Sequence, residues 1–596
     1  MRLYKSEEQF CIAVDIYFII EMAVHRLYHM LHPGCQEARM EKILDNRYYD
    51  FIISNALVTS YNTGDNITKM NEMYSLLHVP KKSMQPCDLG LNSYHRFPDL
   101  YTLESVVSTE NSNEKSEGIN PEMGLFGRGV IVGLIDTGID YRHPAFMNND
   151  TTTRILRIWD QTVEGSSPPA GFTFGSEYTK ELINFALLSQ YPYSIVPTTD
   201  PYRHGTAIAS IIAGRPNEKE GFGGVVPQAD LAVVKLKEAK ENLKNLFCVR
   251  SDALCYQESD IILAIRYLLN VATRLNRPLV ICLALGTNQG GHDGRGALSA
   301  YLDSLMQLPK LSMITSAGNE GSSRRHYYGK VTMNPFSDSL QLNSGEIDKE
   351  YFMEIWPYMP AALSVQITAP TWETAEVIKP GVGECIKLNF QSIKTNIWVN
   401  NILFEEETGN QLILLRFRNM ISGTWYIKLE NLNSVPFSYH CWLPSGNLIS
   451  NETYFVNSSP DTTVTILGNT SNLLTVTAYN QNVGTIMEES SIGYTRLGQV
   501  KPDLAAPGYR IPCAIPDFQY GTISGTGAAA AHVAGAAVMM IEWAYIKGNY
   551  TAATGNQTNR LMMKSADRDP VNVYPNPVWG YGKLSIDSTL KQLLIY

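Results

Sequence analysis

Four apolar runs, each ended by a polar cluster, constrain the fold more than any other feature of the sequence. They are GVIVGLID (129–136), DLAVVKLK (230–237), PLVICLALG (278–286) and the weaker LSMITSAGN (311–319). Runs without polar alternation are typical of strands that are buried on both faces of a parallel sheet. A helical pattern, ESDIILAIRYLLNVATRL (258–275), lies between two of them. Strands that alternate with helices predict an α/β protein built on a parallel sheet.

A second sequence pattern, of short β-type segments, interrupts this α/β pattern between about residues 331 and 470. Its short β-type runs include FMEIW, LSVQITAP, TNIWVNNILF, QLILLRF and GTWYIKLENL, and EETGNQ (406–411) separates two of them as a hairpin turn would. Six or more short strands at this spacing predict an inserted β-sandwich. The α/β pattern resumes with SNLLTVTAYN (471–480) and closes with a helix predicted over about 528–547, ended by Gly548.

The chain is therefore divided into five predicted parts. They are an N-terminal extension (1–39), a second N-terminal region with a polar linker (40–120), the first part of the α/β domain (121–330), the inserted β-sandwich (331–470) and the second part of the α/β domain (471–596). The extension reads as an appended helix-rich segment, and an upstream start codon assigned in error is an alternative explanation for it.

Charge and cysteine content exclude several classes of protein. The net charge is −10 and there is no long Lys/Arg run, which argues against a nucleic-acid binder driven by bulk charge. Nine cysteines occur without any CxxC spacing, so neither a zinc ribbon nor a thioredoxin-type motif is supported. We interpret this odd, scattered set as reduced thiols in a reducing compartment.

The sequence shows no clear membrane span or signal peptide. The most apolar N-terminal run, 11–24, is shorter than the ~18 residues that a membrane helix needs, and Asp15 and Glu21 interrupt it. No small-residue cleavage site follows it. We therefore expect no membrane span and no secretory signal.

Four short motifs carry the candidate chemistry. Asp136 ends the first buried run in LIDTGIDYRHP, His204 opens HGTAIASIIAG, Asn319 lies in SAGNEG, and SGTGAAAAHVAG (524–535) begins the last predicted helix. In an open α/β sheet, ligands bind outside the carboxyl ends of the strands, and Asp136 is at such an end. Together with GVVPQADLAVVKL (224–236) and VKPDLAAPG (500–508), these motifs resemble the subtilisin-like serine proteases, the subtilases.

The resemblance implies a subtilisin-like, doubly wound parallel sheet and a set of site residues. Asp136 would orient His204, the general base, and the Asn319 amide would donate to an oxyanion. The edge segment Ala284, Leu285 and Gly286 would pair with substrate backbone by strand addition. We expect no cofactor and assign no metal ligands.

The sequence departs from the family at the nucleophile. The family element is G-T-S-x-A, whereas this chain has GTGAA at 525–529, so the nucleophile position is Gly527. Loss of the serine costs on the order of 10⁶ in rate, which is too much for a working protease. Ser524 and Thr526 are the neighbouring hydroxyls, and we interpret both as structural because the family carries them beside an active serine.

Other polar residues are given plainer roles. His292 and Asp293 in GGHDGRG suggest a metal, but their glycine flanks favour a loop beside the cleft. We interpret His532 as a packing residue on the last helix. The basic-aromatic run RRHYY (324–328) is assigned to a loop at a domain junction.

A closer resemblance is to the clostridial spore-germination proteases, the Csp proteins, carried by DTGIDYRHPAF, RILRIWDQT and the β insert. It implies that residues 40 to about 118 correspond to a propeptide, that the insert is a jelly roll, and that the location is cytoplasmic or spore-associated. Some Csp members are pseudoproteases. With Gly527 we expect an uncut N-terminal region that stays docked on the sheet edge or in the cleft.

These observations support two functional hypotheses. The first is a pseudoprotease that regulates by binding a peptide or protein ligand in its cleft, either its own N-terminal region or an active paralogue. The alternative is an active serine-type endopeptidase with a non-standard nucleophile. A third interpretation, a small-molecule sensor that acts through the β insert, rests on the Csp analogy alone.

Overall fold

A mainly parallel sheet of nine strands forms the centre of the protein. The computed structural model describes residues 41–60, 66–83, 89, 92–110, 124–164 and 167–594, so the predicted extension 1–39 and most of the polar linker lie outside the described residues. The strands of the central sheet are β6 (Ile131–Asp136), β7 (Ile155–Asp160), β8 (Ser176–Thr179), β9 (Asp230–Lys235), β11 (Leu279–Leu283), β13 (Leu311–Ser316), β24 (Leu474–Asn480), β25 (Thr485–Ile486) and β26 (Leu504–Pro507). They pair in the order β25-β24-β13-β11-β6-β9-β7-β8, and β26 pairs with β24.

Helices cover both faces of this sheet. The described helices are α1 (Lys180–Leu188), α2 (His204–Ala213), α3 (Glu241–Leu246), α4 (Glu258–Leu275), α5 (Ala297–Leu305), α6 (Thr526–Ile541), α7 (Gly555–Lys564) and α8 (Ile586–Leu594). Along β6, Val132 and Leu134 share a core with α2 and α6, while a β-carbon on Gly133 would meet Leu268 of α4 on the other face. Because both faces are covered, all six residues of β6 are buried. The predicted doubly wound α/β fold is confirmed.

Helix α6 is the central core helix. Every residue of Thr526–Ile541 except His532 is buried, and a π-helical turn, Glu542–Ile546, follows it. The buried Glu542 carboxylate accepts a hydrogen bond from the Gly127 N–H at 2.6 Å where the helix changes form. Among the described residues, the segment 526–546 alone is long and apolar enough to cross a membrane, and 78% of its most apolar window is buried inside the protein.

The insert consists of two antiparallel sheets that share one apolar core. The six-stranded sheet has the order β14-β22-β16-β20-β19-β18 and the four-stranded sheet the order β17-β21-β15-β23. The strands are β14 (His326–Val331), β15 (Ser337–Ser344), β16 (Glu350–Pro357), β17 (Leu363–Thr368), β18 (Cys385–Asn389), β19 (Asn396–Ile402), β20 (Leu412–Arg418), β21 (Gly423–Asn431), β22 (Phe437–Trp442) and β23 (Tyr454–Phe455). These additional antiparallel sheets are the predicted β insert; its jelly-roll topology and the predicted domain boundaries stay predictions.

A three-stranded antiparallel sheet precedes the α/β domain. Its order is β1-β3-β2, from β1 (Tyr48–Ser54), β2 (Ile67–Lys69) and β3 (Tyr74–Pro80). Phe97 and Phe247 pack edge to face beside this sheet, and Trp356 on the outer face of β16 joins the same cluster. This apolar cluster therefore holds together the N-terminal region, the α/β domain and the insert.

Six short strands complete the fold around the predicted cleft. They are β4 (Leu100–Leu103), β5 (Val106–Ser108), β10 (Tyr256–Gln257), β12 (Leu285–Gly286), and the hairpin of β27 (Ile511–Ile515) and β28 (Gln519–Ser524). β4 lies between β10 and β12, and β5 is the edge partner of β28. The stretch Leu100–Ser108 thus contributes strands to two separate small sheets.

Candidate active site

Asp136 and His204 form a buried pair at the carboxyl end of β6. Nδ1 of His204 lies 2.8 Å from Oδ1 and 3.0 Å from Oδ2 of Asp136, and both side chains are almost fully buried. Since one imidazole nitrogen faces the carboxylate, the pair fixes the tautomer and leaves Nε2 to act as a base. Nε2 is buried and has no hydrogen-bond partner among the described residues.

A hydroxyl and carboxylate network fixes the start of α2, and so places His204. The Thr137 hydroxyl donates to Oδ1 of Asp200 at 2.6 Å and accepts from the Gly205 N–H at 3.0 Å. The other Asp200 oxygen accepts from both the N–H and the hydroxyl of Thr206. These contacts tie the first turn of α2 to the end of β6. They thereby bring together Asp136 and His204, which are 68 positions apart in the sequence.

Gly205 lets the helix approach the strand this closely. A β-carbon at this position would lie 2.1 Å from the Gly138 carbonyl oxygen and 3.2 Å from Cβ of Asp136. No side chain fits there without moving the backbone. The glycine of the HGT motif is thus required by the close approach of two main chains.

The first turn of α6 points its backbone donors into the same site. The N–H of Thr526 donates to Oδ1 of Asn319 at 3.0 Å, and the N–H of Gly527 donates to the carbonyl oxygen of Glu104 at 2.9 Å. The N–H of Ala528 donates to the Ser105 hydroxyl at 3.1 Å. The initial N–H groups of a helix have no partner within it, so they are available to bind a polar ligand.

The ligand that meets these donors is the chain's own segment Leu100–Ser108. On one side, Leu103 and Thr102 pair antiparallel with Leu285 and Gly286. The Glu104 N–H donates to the Ala284 carbonyl at 3.1 Å. The structure thus brings an extended peptide onto all three residues predicted to bind substrate backbone.

The segment continues past the catalytic position without a break. Val106 pairs with Ser524, Val107 with Ile523, and Ser108 with Thr522 of β28. The peptide bond between Glu104 and Ser105 therefore lies at the N-terminus of α6, between the two strand pairings. It occupies the place that a scissile bond would take in a protease.

The Glu104 side chain is buried in a pocket beside the edge segment. A β-carbon on Gly286 would lie 2.0 Å from Oε1 of Glu104, so this glycine leaves room for the carboxyl. Burial raises the pKa of Glu104 well above its usual range, and the nearby charge of Glu320 raises it further. Both effects favour the neutral acid over the carboxylate at Glu104.

Glu320 and Arg325 link this pocket to the insert. Nη1 of Arg325 lies 3.1 Å from both carboxylate oxygens of Glu320. The same guanidinium donates to the carbonyls of Gly446 and Ile449. RRHYY therefore lies at the junction between the α/β domain and the insert, as predicted. It is not wholly a loop, since His326, Tyr327 and Tyr328 begin β14.

His292 and Asp293, the two residues that suggested a metal, contact other residues of the protein. His292 is buried between the carbonyls of Val464 and Asn288, and its ring stacks on Trp442 at 3.9 Å. Asp293 pairs with Arg496 at 3.0 Å. No group of three or more His, Cys, Asp or Glu side chains in the described part of the chain is arranged as metal ligands.

The neighbouring hydroxyls and the helix histidine have structural partners. Oγ of Ser524 accepts from the Arg510 N–H, and Oγ1 of Thr526 accepts from the Gly318 N–H. His532 bonds the Ala528 carbonyl within its own helix. None of these three contacts directs the side chain toward His204.

The buried cysteines are poor nucleophiles. Burial raises the pKa of Cys255 to about 12, and it also raises the pKa values of the Cys282, Cys441 and Cys513 thiols. A protonated thiol attacks slowly, so these residues do not replace the missing serine.

Comparison with known proteins agrees with this geometry. The sequence profile of the Subtilase family matches residues 127–345 and 445–582, which together make up more than half of the chain. The chain belongs to the subtilase family. The structure of the Clostridium perfringens CspB protease is 28% identical to this subtilase, with a TM-score of 0.71, over 80% of this chain and 97% of that one.

Longer relatives match a smaller share of their own length. A C5a peptidase of Streptococcus pyogenes is 23% identical over 486 residues, 75% of this chain and 38% of its own. The minor extracellular protease Vpr of Bacillus subtilis is 23% identical over 87% of this chain and 59% of its own. This subtilase therefore spans well under half of the C5a peptidase it matches.

Sequence reasoning did not find Glu104 and Ser105. They stand in the short stretch DLYTLESVVS, which has no catalytic motif and no unusual composition. Their role depends on partners more than 400 residues later in the chain, at 527 and 528. The one available signal was the resemblance to the family's propeptide layout. It indicated residues 40 to about 118 as a propeptide but did not single out Glu104 or Ser105.

Proposed function

We propose that this subtilase is a catalytically impaired protease homologue whose cleft holds its own N-terminal segment as an uncut ligand. One observation carries the proposal: Gly527 has no side chain, although the Asp136–His204 pair and the α6 donors around it are in place. The N–H donors can bind and polarise a peptide carbonyl and His204 can accept a proton, but position 527 has no hydroxyl for it to activate.

The role that fits this site is regulation or scaffolding through bound peptide. The segment Leu100–Ser108 is paired on both sides of the catalytic position, so another peptide, including one from an active paralogue, has to displace it to enter the cleft. The family's proteases act on peptides or proteins, which supports a polypeptide ligand.

The alternative, an active endopeptidase with a non-standard nucleophile, has one structural candidate. The Ser105 hydroxyl is at the site, hydrogen-bonded to the Glu104 carbonyl oxygen at 2.6 Å. This hydroxyl belongs to the bound segment and not to the cleft. It cannot serve repeated rounds of cleavage on other peptides, so we place it second.

We also propose a reducing compartment, cytoplasmic or spore-associated. Cys255, Cys282, Cys441 and Cys513 are buried free thiols in the described part of the chain, as expected in a reducing compartment. Fractionation of the native host, followed by detection of this chain, tests the location directly.

The decisive experiment compares the native chain with Gly527→Ser and Gly527→Ala. The native chain should give no His204-dependent labelling by a fluorophosphonate and should stay one band. Gly527→Ser should create self-cleavage between Glu104 and Ser105, read by mass spectrometry. Gly527→Ala adds the β-carbon without the hydroxyl and should stay intact.

His204→Ala completes the design. Added to Gly527→Ser, it should abolish the new cleavage, because the serine then lacks its base. Stoichiometric labelling of the native chain that disappears in His204→Ala would show a working nucleophile and refute the impaired-protease proposal.

A further inference from the structure

We propose that Ser105 determines which peptide the degenerate cleft holds, because its hydroxyl occupies the space that the nucleophile's side chain would need. In an active member of the family the hydroxyl is carried by the enzyme; here it is carried by the ligand. This inference rests on the proposed function, since it names the chemistry of the ligand that the same site binds.

Two hydrogen bonds place the Ser105 hydroxyl. Oγ accepts from the Ala528 N–H at 3.1 Å and donates to the Glu104 carbonyl oxygen at 2.6 Å. The same carbonyl oxygen accepts from the Gly527 N–H at 2.9 Å. The hydroxyl therefore satisfies a helix N–H that would otherwise be left unpaired next to the bound peptide.

The Ser105 hydroxyl fits in its present place only because residue 527 has no side chain. A β-carbon on Gly527 would lie 2.6 Å from Oγ of Ser105, while its next neighbours, Cβ of Ala284 and the Glu104 carbonyl oxygen, would be 3.0 and 3.1 Å away. The first distance is far inside ordinary contact, about 3.5 Å between heavy atoms. A side chain at 527 and the Ser105 hydroxyl in its present place exclude each other.

The ligand class follows from these contacts. The site takes an extended, uncut polypeptide that runs through both sides of the cleft and presents a small hydroxyl residue directly after the carbonyl bound by Gly527. Alanine at that position fits but leaves the Ala528 N–H without its partner. Because an unsatisfied buried donor weakens binding, the serine is the favoured residue.

The first test measures coupling between positions 105 and 527. In the Gly527→Ser chain, the new serine and the Ser105 hydroxyl compete for one space, so self-cleavage should be slow. Adding Ser105→Ala should accelerate self-cleavage by on the order of tenfold, because it removes the oxygen that overpacks the new side chain and relief of about 1.4 kcal/mol of overpacking is tenfold in rate. Ser108→Ala, in the same segment, is the matched control and should leave the rate unchanged.

Equal rates with and without Ser105→Ala would overturn the inference. If no Gly527→Ser chain cleaves at all, the catalytic geometry under the proposed function has failed, and the inference is then decided in the native Gly527 background. There, hydrogen exchange of the Leu100–Ser108 amides reports how tightly the segment is held.

In that background Ser105→Ala should raise the exchange rate of the segment about tenfold, since one buried hydrogen bond is lost. Ser108→Ala should leave the exchange rate near the native value, and Ser105→Thr, which keeps the hydroxyl, should retain most of the protection. If Ser105→Ala and Ser108→Ala exchange alike, Ser105 does not determine the occupant of the cleft.

Discussion

The backbone N–H of Gly527 donates to the carbonyl oxygen of Glu104 across 2.9 Å. The position that supplies the nucleophile in this family has lost its side chain, yet its main chain still binds the carbonyl that a nucleophile would attack. Under the proposed function, the main chain at this site binds a peptide carbonyl that the chain does not cleave.

Gly286→Ala should loosen the bound segment. The added β-carbon would lie 2.0 Å from Oε1 of Glu104 and 2.7 Å from Oγ1 of Thr465, so Glu104 has to leave its pocket. We expect faster hydrogen exchange of the residue 100–104 amides, measured by mass spectrometry. Gly223→Ala is the control, because no neighbour lies within 3.5 Å of its β-carbon; equal exchange in both variants would contradict the assigned pocket.

Gly205→Ala should separate His204 from Asp136. The new methyl would lie 2.1 Å from the Gly138 carbonyl oxygen, and such overpacking typically costs about 1–3 kcal/mol of unfolding free energy. Urea denaturation measures this cost. In the Gly527→Ser chain the same change should also abolish self-cleavage, and unimpaired cleavage would show that the close approach is not required.

Arg325→Met should destabilise the junction between the α/β domain and the insert. It leaves the buried carboxylate of Glu320 without its cation, and removal of one partner of a buried pair costs about 3–5 kcal/mol. The urea midpoint should fall. Arg324→Met is the neighbouring control, since that guanidinium is more exposed and bonds backbone carbonyls at 2.9 and 3.4 Å; a similar fall there would argue against the pair.

Stability should decline as pH rises through neutrality because of Glu407. Burial, together with the charges of Glu405 and Glu258, raises the pKa of Glu407 to about 7. A carboxyl whose folded pKa is raised contributes its stability below the unfolded pKa, about 4.3, and loses it as pH rises through the folded value. We expect a lower unfolding free energy at pH 8 than at pH 5, by about 1–3 kcal/mol.

The variant Glu407→Gln tests the assignment. The amide carries no charge, so the difference between pH 5 and pH 8 should shrink in chemical denaturation. Glu218→Gln, at an exposed site, should keep the native pH dependence. An unchanged profile in Glu407→Gln would mean that other groups control it.

Much of the fold could be predicted because its signals are local. The run that became β6 was indicated by its unbroken apolar residues and α4 by its helical pattern, and α4 has the predicted bounds, Glu258–Leu275. The insert was visible as repeated short β-type runs. The end of α6 was less predictable, because a π-helical turn, Glu542–Ile546, follows it and the Glu542 carboxylate there contacts distant Gly127. The two helices after it, α7 and α8, were not predicted.

The sequence by itself determined the family, the parallel α/β core, the candidate pair Asp136 and His204, and the absence of a hydroxyl at Gly527, because short motifs and strand patterns are written in adjacent residues. Only the tertiary structure decided that Glu104 and Ser105 occupy the cleft. Their strand pairings and the Ser105–Ala528 hydrogen bond join residues up to 423 positions apart. Such contacts are specified by the packing of the whole chain, and no local pattern of residues encodes them.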